Sequence, residues 1–103
     1  MIKRKMPETD YRGSRFCRIM GNPTAYQIVK YLLKHNATPS QLSEKIGVSV
    51  QTICSTLRHL RNVDIVRYET VKKNKIYFLK DPTLIQVINT IEKYVERIRF
   101  KRW

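Results

Sequence analysis

Apolar residues recur along this chain first at helical spacing, then at alternate positions, then at helical spacing again. Phe16, Ile19 and Met20 predict a first helix over Tyr11 to Met20, closed by Gly21. Asn22-Pro23 is a helix start, with Asn as cap and Pro in the first turn where no backbone donor is needed. Ile28, Val29, Leu32 and Leu33 then carry a second helix to about Asn36. Thr38-Pro39-Ser40-Gln41 has the T-x-x-Q form in which cap and third residue satisfy each other's backbone donors. It opens a third helix with Leu42 and Ile46 inward and Gly47 at its end. Only Val48 separates Gly47 from Ser49, which can cap the next helix, so the joint is tight.

That fourth helix, Ser49 to Asn62, sets Ile53, Leu57 and Leu60 on one face and Gln51, Thr52, Ser55, His59 and Asn62 on the other. After Asn62 the residues become β-rich. Ile65 to Val71 and Ile76 to Leu79 predict two strands joined by a polar turn, Lys72-Lys73-Asn74-Lys75. Asp81-Pro82 opens a last helix, in which Leu84, Ile88, Ile91, Val95 and Ile98 form a seam that repeats every seven residues. The fold class is therefore mainly α with a small β-hairpin, in the order α-α-α-α-β-β-α. Residues 1–10 are expected to be a basic arm, 11–80 a compact unit, and 81–103 a closing helix of the same domain. A chain of 103 residues has room for one domain.

Charge changes the picture most. Lys and Arg number 21 against 8 Asp and Glu, a formal charge of +13 that calls for a polyanionic partner. A lysine-rich solvated surface is the plain alternative. Two cysteines, Cys17 and Cys54, stand far apart in no C-x-x-C pattern, so neither a disulfide scaffold nor a zinc knuckle is indicated. Met1 to Lys5 is basic, but no apolar run of about 7–15 residues follows it, and nothing approaches a membrane span. No membrane association and a cytoplasmic setting are expected.

The helix pair ending in Ser49–Asn62 matches the way a short helix crosses a DNA backbone and holds a second in the major groove. Gln51 can bond an adenine edge, while Thr52, Ser55 and Thr56 can reach bases, thymine methyls or phosphates. Ser49, Arg58 and His59 are candidate backbone contacts. Any helical bundle also has such joints, so the pair alone is weak. The hairpin adds weight, because Lys72, Lys73 and Lys75 at its tip, with Arg67 on the first strand, could lie on phosphates or in the neighbouring minor groove. Lysines also blunt exposed strand edges, and the two roles are compatible.

Gly47-Val48-Ser49-Val50-Gln51-Thr52-Ile53-Cys54-Ser55-Thr56-Leu57-Arg58-His59-Leu60 resembles the recognition-helix motif of the ArsR-type winged-helix repressors, usually G-L-S-Q-S-T-V-S-R-H-L-K-V-L. Gly21-Asn22-Pro23-Thr24 with Ile28 to Leu33 is similar to the family's D-P-T-R-L-R-I-L segment, and Ser40 to Gly47 to its E-L-A-x-x-L-G helix. The similarity covers about Phe16 to Leu79; the broader MarR-like and archaeal winged-helix groups share its outline. The chain departs from the motif at Cys54, Thr56 and Asp64, which replace Ser, His and Gly, and at the turn, where Asn74 stands for Gly and is expected to take positive φ. The resemblance implies a winged helix-turn-helix regulator that binds double-stranded DNA, acts as a repressor and forms a homodimer through the last helix, at Leu84, Ile88, Ile91, Val95 and Ile98.

Many members of that family sense metals through a C-x-C pair in the third helix or His and acidic ligands in the last. Here the third helix reads Ser40-Gln41-Leu42-Ser43-Glu44-Lys45 and the last has neither His nor Cys, so no metal and no cofactor are expected. Cys54, beside the inward face, is read as a small buried hydrophobe. No acid/base pair, nucleophile motif or Gly-rich phosphate loop is present, and an enzyme is not expected. RNA binding or a protein-interaction role is the competing class.

Overall fold

The computed structural model describes residues 5–98. Lys3 and Arg4 of the expected arm, and residues 99–103 of the expected closing helix, lie outside them. The elements are α1 (Glu8–Met20), α2 (Pro23–Leu32), α3 (Pro39–Ile46), α4 (Val50–Asn62), β1 (Val66–Val71), β2 (Asn74–Leu79) and α5 (Thr83–Arg97), in the order expected.

Local chemistry sets most of the boundaries. The Asn22 side chain accepts from the Ala25 amide at 3.0 Å and Pro23 fills the first turn of α2. Thr38 and Gln41 form a complete capping box at 2.9 and 3.2 Å. Gly47 ends α3 at φ 86°, a left-handed conformation that suits a residue without Cβ. The Ser43 hydroxyl donates to the Val48 carbonyl at 2.5 Å, and Ser49 caps α4 by accepting from the Thr52 amide at 3.1 Å. The joint between α3 and α4 is thus held by side chains at both ends.

Two boundaries differ from the periodicity. α1 begins at Glu8 rather than Tyr11, because the Pro7 carbonyl accepts from the Tyr11 amide at 3.1 Å and Glu8 and Asp10 supply negative charge to the first turn. α2 stops at Leu32, short of Asn36. The chain must extend there so that Ala37 can exchange two backbone hydrogen bonds with Tyr77, at 3.1 and 2.7 Å.

The end of α4 turns on Asp64, at φ 65°. The Asp64 amide bonds the Arg61 carbonyl and the Ile65 amide bonds the Leu60 carbonyl, both at 2.9 Å, which is a Schellman cap with Asp in the place usual for Gly. Leu60 and Ile65, both buried, supply the apolar contact that accompanies such a cap. The Asp64 carboxylate in turn holds Lys80 and Arg67.

β1 and β2 pair antiparallel from Val66↔Leu79 to Val71↔Asn74. The turn is therefore the two residues Lys72 and Lys73, at φ 49° and 70°. This corrects the expectation for Asn74, which sits in the ladder. A two-residue connection of this twist needs positive φ at both central positions, and the register assigns those positions to lysines.

One core unites the layers. Ile28 and Val29 of α2, Leu42 of α3, Ile53, Leu57 and Leu60 of α4, Val66 of β1 and Ile88 of α5 are all fully enclosed. No polar or charged residue is buried among the described residues. Side chains of this size stabilise a fold by roughly 1.5–3 kcal/mol each when enclosed.

Candidate nucleic-acid interface

Successive residues of α4 step by roughly 100°, so enclosing Ile53, Leu57 and Leu60 turns Gln51, Ser55, His59 and Asn62 to solvent, with Thr52 and Arg58 beside them. Gln51 and Ser55 make no side-chain hydrogen bond among the described residues. The Ser49 hydroxyl, by contrast, serves the helix cap and lies 2.9 Å from the Thr52 hydroxyl. Thr56 is half-buried and donates its hydroxyl proton to the Thr52 carbonyl at 2.9 Å. Gln51 and Ser55 are therefore the readiest partners for base edges.

The hairpin presents Lys72, Lys73 and Lys75 as exposed cations at and beside its tip. Arg67 is separate from them, at the base of the hairpin, with its Nε 3.3 Å from Asp64 Oδ1. Lys80, and then Arg67, hold the Asp64 carboxyl below the usual carboxylate range. The base of the hairpin is fixed and its tip carries the unpaired charge.

Sequence reasoning missed two residues in the crevice between α4 and the hairpin. The guanidinium of Arg61 lies 5.2 Å from the ring centroid of Tyr68, and Lys75 Nζ lies 4.8 Å from the same centroid. Tyr68 also meets Tyr77 at 5.2 Å, the two rings inclined by 45°. Burial raises the Tyr77 hydroxyl above its ordinary pKa of 10.0, and the nearby Arg61 charge opposes that rise. The sequence carried no signal for them: a turn over Lys72–Lys75 would set Tyr68 opposite Leu79, whereas the observed register pairs it with Tyr77, and the reach of Arg61 is tertiary.

Cys54 and Cys17 are exposed, which corrects the reading of Cys54 as a buried hydrophobe. One helical step past Ile53 carries it off the enclosed face and onto the flank nearest Tyr77. Among the described residues no three His, Cys, Asp or Glu side chains gather as a metal site would require.

The seam of α5 divides. Leu84 and Ile88 lie in the core of their own chain, Ile88 with no exposed surface, so they are corrected from interface to core. Ile91 packs partly against that core and Ile98 is half-buried, whereas Val95 is 41% exposed. Ile85, Val87 and Tyr94, the last 61% exposed, extend the solvent-facing apolar strip. α5 is locked to α2 by Glu92, which pairs with Lys30 at 2.6 Å and accepts from the Tyr26 hydroxyl at 3.3 Å.

Residues 22–68, from the cap of α2 to the middle of β1, match the model of the bacterial regulatory protein arsR family. The matched stretch is similar to that family, and the chain has the winged helix-turn-helix fold. Solved structures agree on the fold. The homodimeric winged helix-turn-helix DNA-binding domain of a possible ArsR-family transcriptional regulator from Mycobacterium bovis superposes with a TM-score of 0.75 at 13% identity, over 99% of this chain and 100% of that one. HlyU from Vibrio cholerae gives 0.75 at 19% identity over 84% and 97%. The transcriptional repressor BigR from Xylella fastidiosa gives 0.72 at 20% identity over 89% and 94%. No curated relative matches the sequence. The matched family is described as one of bacterial regulatory proteins. Among the described residues no helix is long and apolar enough to cross a membrane. In a winged helix-turn-helix, α4 holds the place of the recognition helix and the hairpin that of the wing.

Proposed function

We propose that the protein is a homodimeric, sequence-specific repressor that occupies promoter DNA in the cytoplasm. Gln51, Thr52 and Ser55, with Thr56 at the margin, read bases in the major groove; Ser49, Arg58 and His59 position the backbone; Arg67, Lys72, Lys73 and Lys75 carry the wing. The residues ahead of α1 add basic charge, α1 to β2 form the DNA-binding unit, and α5 supplies the dimer contact through Ile91, Val95 and Ile98 with their exposed neighbours. The observation that carries this reading is the capped N-terminus of α4, which presents Gln51 and Ser55 beside a wing whose tip cations are unpaired. Two such helices in a symmetric dimer would stand about one DNA turn apart, roughly 34 Å.

Selection of bound duplexes from a random pool tests it, followed by salt titrations of two variants. Gln51→Ala is expected to relax preference for the selected sequence, and Lys73→Ala to weaken all duplexes alike while flattening the salt dependence. No enriched sequence, or tighter binding to folded RNA than to any duplex, would overturn this reading.

A further inference from the structure

The unpaired cations of the wing do not end at its tip. Among the described residues, the ion pairs use Lys30, Arg67 and Lys80 and leave Arg61 and Lys75 without a carboxylate. Yet these two come from different elements and converge on one aromatic ring. Like charges gathered there repel each other, and the negative face of the ring offsets the repulsion only in part. An anion lodged beside both would complete the arrangement.

The platform under them is firm. Tyr68 rests on Tyr77, and Tyr77 is tied to Ala37 by two backbone hydrogen bonds. Long cationic side chains laid on a fixed ring lose less freedom when they take up a ligand than side chains that sweep through solvent. A DNA strand leaving the major groove occupied by α4 and passing to the wing must cross this crevice, and it presents one phosphate after another as it does so.

We propose that Arg61 and Lys75, laid on the ring of Tyr68, form a binding site for a single DNA backbone phosphate between recognition helix and wing. The proposal rests on the DNA-binding reading above. Arg61 and Lys75 touch the phosphate, and Tyr68 is a positioning residue that acts through them.

Salt titration of duplex binding by the full chain tests this, on a random duplex and on a selected one. Arg61→Gln and Lys75→Gln are each expected to make the slope of log affinity against log salt shallower by about 0.9 on both duplexes. Lys34→Gln, at an exposed charge in the turn after α2, controls for net charge and keeps the wild-type slope. Tyr68→Phe retains the ring face and wild-type binding. Tyr68→Leu weakens binding about twofold to fivefold for each cation released, and most of the effect of Arg61→Gln disappears in that background. An Arg61→Gln slope equal to that of Lys34→Gln, or additive effects of Arg61→Gln and Tyr68→Leu, overturns the site. Should Tyr68→Leu fail to fold, the two substitutions at exposed positions still decide the matter. Wild-type protein without salt-dependent affinity for duplex DNA overturns the functional reading as well, so the two failures are distinguishable.

Discussion

Lys72 and Lys73 occupy backbone positions where asparagine and glycine are at ease. A left-handed conformation is unfavourable for a residue with a Cβ by roughly 1–2 kcal/mol, so lysines at these two positions cost the turn stability. Replacing the pair by Asn-Gly is expected to raise stability by about 1 kcal/mol or more while weakening duplex binding; thermal melts and salt titrations of the same variant check both halves, and a melt that stays put removes the strain argument. The glycines offer a cleaner comparison. A Cβ at Gly13 or at Gly47 would meet no atom within 4 Å, but only Gly47 has positive φ. Gly13→Ala, inside α1, is expected to stabilise by about 0.5–1 kcal/mol, and Gly47→Ala to destabilise by about 1 kcal/mol, as denaturant midpoints would show. Caps such as Asn22, Thr38 and Ser49 were legible because the side chain and the backbone group it satisfies are sequence neighbours. The lysine turn was not, because the register of the hairpin overrode the preference of Asn74.

Element order was readable from periodicity alone, whereas the fate of each apolar stripe was not. A seam such as that of α5 looks the same whether it faces its own core or a second molecule. Here the burial of Leu84 and Ile88 seats α5, and Glu92 ties it to α2 through Lys30 and Tyr26. The hydrogen bond from Lys30 holds the Glu92 carboxyl below its ordinary value of 4.5, and the same bond raises Lys30 above 10.5. A depressed carboxyl contributes stability that is present above its unfolded pKa and lost as pH falls through the folded one. The raised amine works in reverse: its contribution is present below 10.5 and lost as pH rises through the folded value. Glu92→Gln is therefore expected to flatten the acid limb of stability below about pH 4.5 and to leave the neutral plateau lower only by the small contribution of an exposed pair. An acid limb as steep as that of wild type, measured by melts from pH 3 to 7 (a range of roughly this width suffices), would mean that another carboxylate governs the region.

At the scale of the molecule, a formal charge of +13 acts on a body whose wing tip carries a cluster of exposed cations and whose α5 carries an exposed apolar strip. Those surfaces belong to different tasks. Introducing charge at the strip, with Tyr94→Glu and Val95→Glu together, is expected to yield monomers in sedimentation with a native melt, and to reduce affinity for a two-half-site duplex towards that for one half-site. A dimer that survives both substitutions would move the interface elsewhere. Arg61 shows why a whole-molecule feature escapes the sequence: its partner Tyr68 lies on another element, and nothing in local spacing links them. The Ala37–Tyr77 bridge carries a mechanical consequence. It makes the wing a cantilever, built in at Tyr77 and loaded at Lys73, with four residues of overhang, or roughly 13 Å at ~3.3 Å per residue. Over such a beam a pivot of about 10° at the root sweeps the tip by about 2 Å, enough for the lysines to follow grooves of differing width while the recognition helix keeps its seat.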